Sequence, residues 1–197
     1  MYFILFNSAL PLGEELGVRV MVKCYNNLMS KKTLIIIAFQ GFRDEEYAEP
    51  KQVLEQAGVK VTTASSHIGT ATGKLGLKTK VDITLDQVKV NDYDAVIFVG
   101  GPGSYDYFTN QTVLKIAQDA VLQDKVLGGI CAAAGILALA GVLKGKKATS
   151  FSGVADILKQ NGALYTAHPG YEVDGKIVTA DGPGNAKKFG EGIAKLV

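Results

Sequence analysis

With 197 residues, 47% of them hydrophobic and 20% charged, the chain has material for one core and too little for two full domains. A net charge of +2 with that apolar fraction excludes disorder, and two cysteines exclude a disulfide scaffold and fit a reducing, cytoplasmic setting. Basic pairs such as Lys31-Lys32, Lys146-Lys147 and Lys187-Lys188 are scattered and offer no stripe for nucleic acid, and no apolar run approaches the roughly 20 residues of a membrane span.

Residues 1–30 open with the apolar cluster Met1 to Phe6, but no basic residue precedes it and no small-residue cleavage site follows, so it is a poor signal peptide. Two readings stand: an arm that touches a membrane or covers a dimer, or a start assigned too early, with Met29 to Lys32 as the natural beginning. Cys24 lies here and is given no chemistry. Residues 31–197 are expected to form the single domain.

Thr33 to Phe39 is a continuous β-branched run, the pattern of a strand covered on both faces in a parallel sheet. Asp44-Glu45-Glu46 opens a helix carrying Tyr47, Val53, Leu54 and Ala57, with Gly58 as its C-cap. Val59 to Ala64 is the second strand, and Leu75 to Leu85 holds one or two short extended pieces. Ala95 to Val99 is a buried strand ending in Gly100-Gly101-Pro102-Gly103, followed by a helix from Gln111 to Gln123. The strand Val126 to Ile130 runs directly into Cys131-Ala132-Ala133-Ala134, the start of a helix ending near Gly141. A strand over Lys147 to Phe151 and a helix over Val154 to Gln160 follow. Asp174-Gly175 is a two-residue type I′ hairpin signal, and Asp181-Gly182-Pro183-Gly184 turns the chain into a last helix, Ala186 to Leu196. This alternation predicts a three-layer α/β/α sandwich.

The junction Gly129-Ile130-Cys131-Ala132-Ala133 has the layout of a nucleophile elbow, which lifts one side chain above the carboxyl edge of the sheet. A thiol there faces the positive end of a helix dipole, ionises more easily, and has free N–H groups beside it for an oxyanion. The other reading is an inert core cysteine. Gly100-Gly101 ends a neighbouring strand and either completes that oxyanion site or forms a tight turn; it is no dinucleotide fingerprint, and Gly69 to Lys74 is no phosphate-binding loop. Asp44, Glu45, Glu46 and Glu49 cluster after the first strand, where one acid can reach Cys131 or all can complement the helix N-terminus. The histidines, His67 and His168, are expected in surface loops, with His168 a possible auxiliary group. Two histidines and one core cysteine are too few for a zinc site, so no metal and no cofactor are expected.

Glu46 four residues before Pro50, Gly100-Gly101 after a strand, the Ile130-Cys131-Ala132 elbow and Asp181-Gly182-Pro183-Gly184 before the last helix occur together in an order that resembles the DJ-1/PfpI superfamily from Thr33 to Val197. The resemblance implies a mostly parallel, flavodoxin-like sheet, a reactive Cys131 thiol bonded by the Glu46 carboxyl, an oxyanion hole from the Gly101 and Ala132 backbones next to Gly100, and a homodimer. Two departures matter. Ala132 stands where protease-like members have a histidine, which disfavours peptide hydrolysis, and Phe151 stands where relatives of the parkinsonism protein carry a base. The implied activity is cofactor-free attack on α-oxoaldehydes or their adducts on proteins, glyoxalase III-like or deglycase-like. The alternative is a redox sensor or chaperone whose Cys131 is oxidised to sulfinic acid.

Overall fold

The β-branched run after Lys32 needs strands along both edges and helices over both faces, and it has them. The computed structural model of the chain describes residues 30–167 and 170–197. Along them lie β1 (Lys32–Ile36), β2 (Gln40–Phe42), α1 (Asp44–Gln56), β3 (Lys60–Ser65), β4 (Gly69–Gly73), β5 (Lys78–Val81), β6 (Ile83–Thr84), β7 (Ala95–Phe98) and α2 (Gln111–Leu122). There follow β8 (Val126–Ile130), α3 (Ala134–Leu139), β9 (Lys147–Ala148), α4 (Ala155–Gln160), β10 (Leu164–Tyr165), β11 (Tyr171–Asp174), β12 (Ile177–Ala180) and α5 (Ala186–Ala194).

The main sheet has the order β11-β12-β8-β7-β1-β3-β6, parallel throughout except for the β11–β12 pair. Its five long parallel strands, counted along the chain, run 2-1-3-4-5, the flavodoxin-like order. Side chains alternate across it. Leu34, Ile36, Val96 and Phe98 meet α2, α3 and α4 through Val113, Ile116, Leu137 and Leu158. Ile35, Ile37 and Ile97 meet α1 and α5 through Tyr47, Leu54, Phe189 and Ile193. The expected three-layer sandwich is therefore present. Two glycines of β8 set its thickness: a Cβ on Gly128 would lie 2.8 Å from both Phe189 and Ile193, and one on Gly129 would lie 2.9 Å from Leu137.

Several local expectations are corrected. A second, three-stranded sheet, β2-β4-β5, stands beside the main one where only short extended pieces were foreseen. Its strands bury few side chains, chiefly Phe42, Ala71 and Val81, so they carry almost no hydrophobic pattern. The strand expected to reach Phe151 ends at Ala148, because the Thr149 N–H turns to the Thr179 hydroxyl (2.9 Å) and the Phe151 N–H to the Cys131 carbonyl (3.3 Å). The β11–β12 turn is Gly175-Lys176, one residue later than expected. Of the two only Gly175 has a positive φ, 62°, which is the type II′ sign pattern and not I′. Among the described residues no helix is long and apolar enough to cross a membrane. Residues 1–29, with Cys24, lie outside the described residues.

Candidate active site

The 2-1-3-4-5 order places β1, β7 and β8 side by side, so the loops leaving their carboxyl ends converge. Glu46 comes from the first loop, Gly100 and Gly101 from the second, Cys131 from the third. Cys131 follows β8 directly and has φ +59°, the left-handed region that an L-residue enters at a cost of roughly 1–2 kcal/mol. A single turn of 3₁₀ helix, Cys131–Ala133, then leads into α3. The elbow is thus sharper than a helix beginning at the cysteine.

Glu46 sits in the first turn of α1 and is fully buried. Its Oε2 accepts the Gly100 N–H at 3.1 Å, while Oε1 is buried without a hydrogen-bond partner among the described residues. The missing side chain of Gly100 leaves room for acid and thiol to approach: a Cβ there would lie 2.6 Å from Glu46 Oε2, 2.9 Å from the Cys131 Cβ and 2.8 Å from the Ile130 carbonyl. The next residue, Gly101, has φ +100°, and a Cβ on it would come within 2.5 Å of the Arg43 nitrogen and the Gly41 oxygen. This close approach lets the Arg43 N–H bond the Gly100 carbonyl at 2.9 Å and locks the first two loops together.

Burial pushes the Glu46 carboxyl up to about 7, against the weaker pull of Cys131 and the Gly100 N–H toward the charged form. Burial also pushes the Cys131 thiol up to about 12, helped by the Glu46 charge and opposed by the N–H groups of Ala132 and Gly101. The expectation of an easily ionised thiol is therefore corrected. A 3₁₀ turn followed by a six-residue helix supplies too little dipole to offset desolvation beside a carboxylate. Burial thus disfavours the charged form of both groups.

These groups line a cleft of about 310 Å³ with Arg43, Lys74, Tyr105, Phe151 and Asp181 around its mouth. Of the residues singled out from sequence, Cys131, Glu46, Gly101 and Ala132 all border it, with Gly100 behind them. Phe151 lines it too, 44% exposed, so a ring occupies the place where a base was sought. The neighbouring acids go elsewhere: both Asp44 oxygens accept backbone N–H groups, from Leu75 (2.8 Å) and Leu77 (2.7 Å), and Glu45 holds the Arg43 guanidinium at 2.8 and 3.1 Å. His67 bonds Ser66 at 2.8 Å and packs its ring on Phe39, away from the cleft. His168 lies outside the described residues. Sequence reasoning missed Arg43, Lys74 and Tyr105; Arg43 alone had a signal, its place just before the acidic helix start. Among the described residues no cluster of His, Cys, Asp or Glu is placed to hold a metal ion.

Known proteins agree with this architecture. A Methanocaldococcus jannaschii protein without an assigned function is 40% identical over 174 residues, covering 87% of this chain and 84% of its own. The Pyrococcus furiosus protein named Deglycase PfpI is 32% identical over 164 residues, 83% of this chain and 98% of its own. The crystal structure of a ThiJ/PfpI domain protein from Brachyspira murdochii superposes with a TM-score of 0.82 at 32% identity, covering 85% of this chain and 96% of that one. With the family profile matching residues 31–196, the chain belongs to the DJ-1/PfpI family.

Proposed function

We propose that this protein is a cofactor-free, cysteine-dependent enzyme acting on α-oxoaldehydes or on their adducts with proteins, a deglycase or glyoxalase III-type activity carried by Cys131 and Glu46. The observation that carries it is the fully buried Glu46 carboxyl, held by the Gly100 N–H through one oxygen with the other unpartnered among the described residues, lining the same cleft as Cys131 and raised by its burial to about 7. A nucleophile held as a thiol needs a base at the moment of attack, and a carboxyl near pH 7 is matched to that task. The deglycase name of the Pyrococcus relative supports the same substrate class.

With methylglyoxal, the Cys131 sulfur bonds to the aldehyde carbon while its proton passes to Glu46. The Gly101 and Ala132 N–H groups hold the alkoxide that forms. Glu46 returns the proton to that oxygen to give the hemithioacetal, and as carboxylate it removes the hydrogen on the same carbon. Delivery of that proton to the former ketone carbon, with the hydroxyl proton passing to the former ketone oxygen, yields the lactoyl thioester. Water then cleaves the C–S bond, releasing lactate and restoring the thiol, so the sequence consumes one water and is redox-neutral. For a protein adduct, reversal of the carbonyl addition first breaks the bond to the side chain, which leaves with the hydroxyl proton as free amine or thiol, and the aldehyde released in the cleft follows the same route.

The redox-sensor reading draws less support, because the deglycase name of the Pyrococcus relative points to turnover. Peptidase activity draws none from Ala132 and Phe151, neither of which transfers a proton. A homodimer belongs to the proposal as well and is read by sedimentation. The deciding experiment measures lactate formation, as distinct from methylglyoxal loss, by wild type, Cys131→Ser and Glu46→Gln proteins. Lactate from wild type alone is the expected result; no lactate from any of them refutes the enzymatic reading.

A further inference from the structure

The reacting groups leave the charge of the substrate open, and the rim of the cleft addresses it. Two cations line it, Arg43 and Lys74. Arg43 has its charge balanced by two bonds from its guanidinium to Glu45. Lys74 enters no ion pair among the described residues. Nor is its place accidental. It sits at the tip of the β4–β5 hairpin, where its N–H bonds the Phe42 carbonyl at 2.7 Å. The two N–H groups beyond it, on Leu75 and Leu77, are clasped by the buried Asp44 carboxylate. The fit is close: a Cβ on Gly73 would lie 2.6 Å from that carboxylate. Asp44, two residues before Glu46, therefore ties the hairpin tip to the helix that carries the buried acid. The acid on the opposite rim, Asp181, has both oxygens engaged, by the Gly170 N–H (2.6 Å) and the Asn185 amide (2.9 Å).

Taking Cys131 as the reacting thiol, as proposed above, we propose that Lys74, positioned by Asp44, makes this cleft selective for ligands bearing a negative charge close to the reacting carbonyl, such as carboxylated adducts of α-oxoaldehydes. A neutral aldehyde fits the same pocket but gains nothing from this ammonium.

The test reads the cleft charge without requiring turnover. Cys131 is alkylated with iodoacetate and with iodoacetamide, two reagents of similar size that differ by one negative charge, and the rate ratio is followed by peptide mass. Lys74→Gln is expected to lower the iodoacetate-to-iodoacetamide ratio roughly 3- to 10-fold at low salt, with the difference shrinking as salt is added. Asp44→Asn should lower it in the same direction by freeing the hairpin tip. Lys80→Gln, which removes an equal charge from strand β5, should leave it unchanged. An unaltered ratio in Lys74→Gln, or an equal fall in Lys80→Gln, overturns the proposal. Where turnover is found, KM for the methylglyoxal hemithioacetal of N-acetylcysteine should rise in Lys74→Gln by the same factor, and KM for that of its neutral amide should not. Absence of lactate together with a lowered alkylation ratio would refute the enzymatic reading and leave the anion preference standing.

Discussion

Replacing Glu46 by Gln tests the central electrostatic claim through stability alone. The folded protein raises this carboxyl from 4.5 to about 7, chiefly because burial penalises the charge. Between those values the native state holds a proton that the unfolded chain has released. Stability therefore falls as pH rises through this window, in the direction set by proton linkage. The interval corresponds to about 3 kcal/mol, fully present below pH 4.5 and lost above pH 7. Glutamine keeps the size and a carbonyl acceptor for the Gly100 N–H but cannot ionise. Denaturant unfolding of wild type and Glu46→Gln at intervals from pH 4 to pH 8 should give curves that diverge, with the variant gaining about 3 kcal/mol relative to wild type over the range. In a domain of this size that equals a relative shift in Tm of roughly 6–12 °C. Stopping at pH 8 keeps Cys131 out of the comparison, since its thiol titrates only at higher pH in either state. Other carboxylates, such as Asp94 and Glu45, are lowered by their partners and act in the opposite sense, but they are common to both proteins and cancel in the difference. Parallel curves would mean that Glu46 releases its proton at the same pH in the folded and unfolded states, and the claim would fail.

Gly100→Ala should lower stability by about 1–3 kcal/mol, as its methyl collides with Glu46 and the Ile130 carbonyl, whereas Gly184→Ala, which meets nothing within 4 Å, should stay within about 0.5 kcal/mol of wild type in the same thermal scan. Cys131→Gly should be about 1 kcal/mol more stable than Cys131→Ala by denaturant unfolding, because φ +59° strains any residue with a Cβ; equal stability would deny the elbow its strain. Tyr47→Phe should cost about 1–2 kcal/mol by removing a hydroxyl shared with Thr63 (2.8 Å) and Thr79 (2.9 Å), and hydrogen exchange should quicken first in β5, which that hydroxyl ties to the main sheet.

The parallel sheet was legible because β1, β7 and β8 are buried on both faces, and double burial writes an uninterrupted apolar run. The small sheet was not, since Gly69–Gly73 and Lys78–Val81 face solvent along most of their length and are held by backbone bonds and Asp44, which leave no hydrophobic period. At the site, the elbow and Gly100-Gly101 could be located from residue types. The sense of the thiol shift could not, because it depends on how completely Glu46 and Cys131 are desolvated, and burial is a property of the assembled layers. Nor could sequence alone divide the work among Asp44, Glu45 and Glu46. Successive helix positions point about 100° apart. Three adjacent acids therefore meet three different surroundings: a hairpin tip, an arginine, and a thiol.

That division explains how so acidic a segment serves a site with so little free charge. Asp44 spends its charge on two backbone donors and Glu45 on a guanidinium, so neither carboxylate adds a free negative charge at the sulfur. Of the three only Glu46 lines the cleft, and its burial favours the neutral form. A second carboxylate facing the cleft would raise the thiol further and repel an oxyanion. A histidine at position 132 or 151 would offer an alternative proton acceptor and relieve Glu46 of part of its task. With Ala132 and Phe151 there instead, the proposed function assigns to the same carboxyl both the thiol proton and the carbon-bound hydrogen. One group can perform both steps only if its charged and neutral forms are both accessible near neutral pH, and burial raises Glu46 to about 7. The layered fold thereby fixes the chemistry twice: strand order brings the loops together, and the depth of the first turn of α1 sets the proton affinity of the acid they enclose.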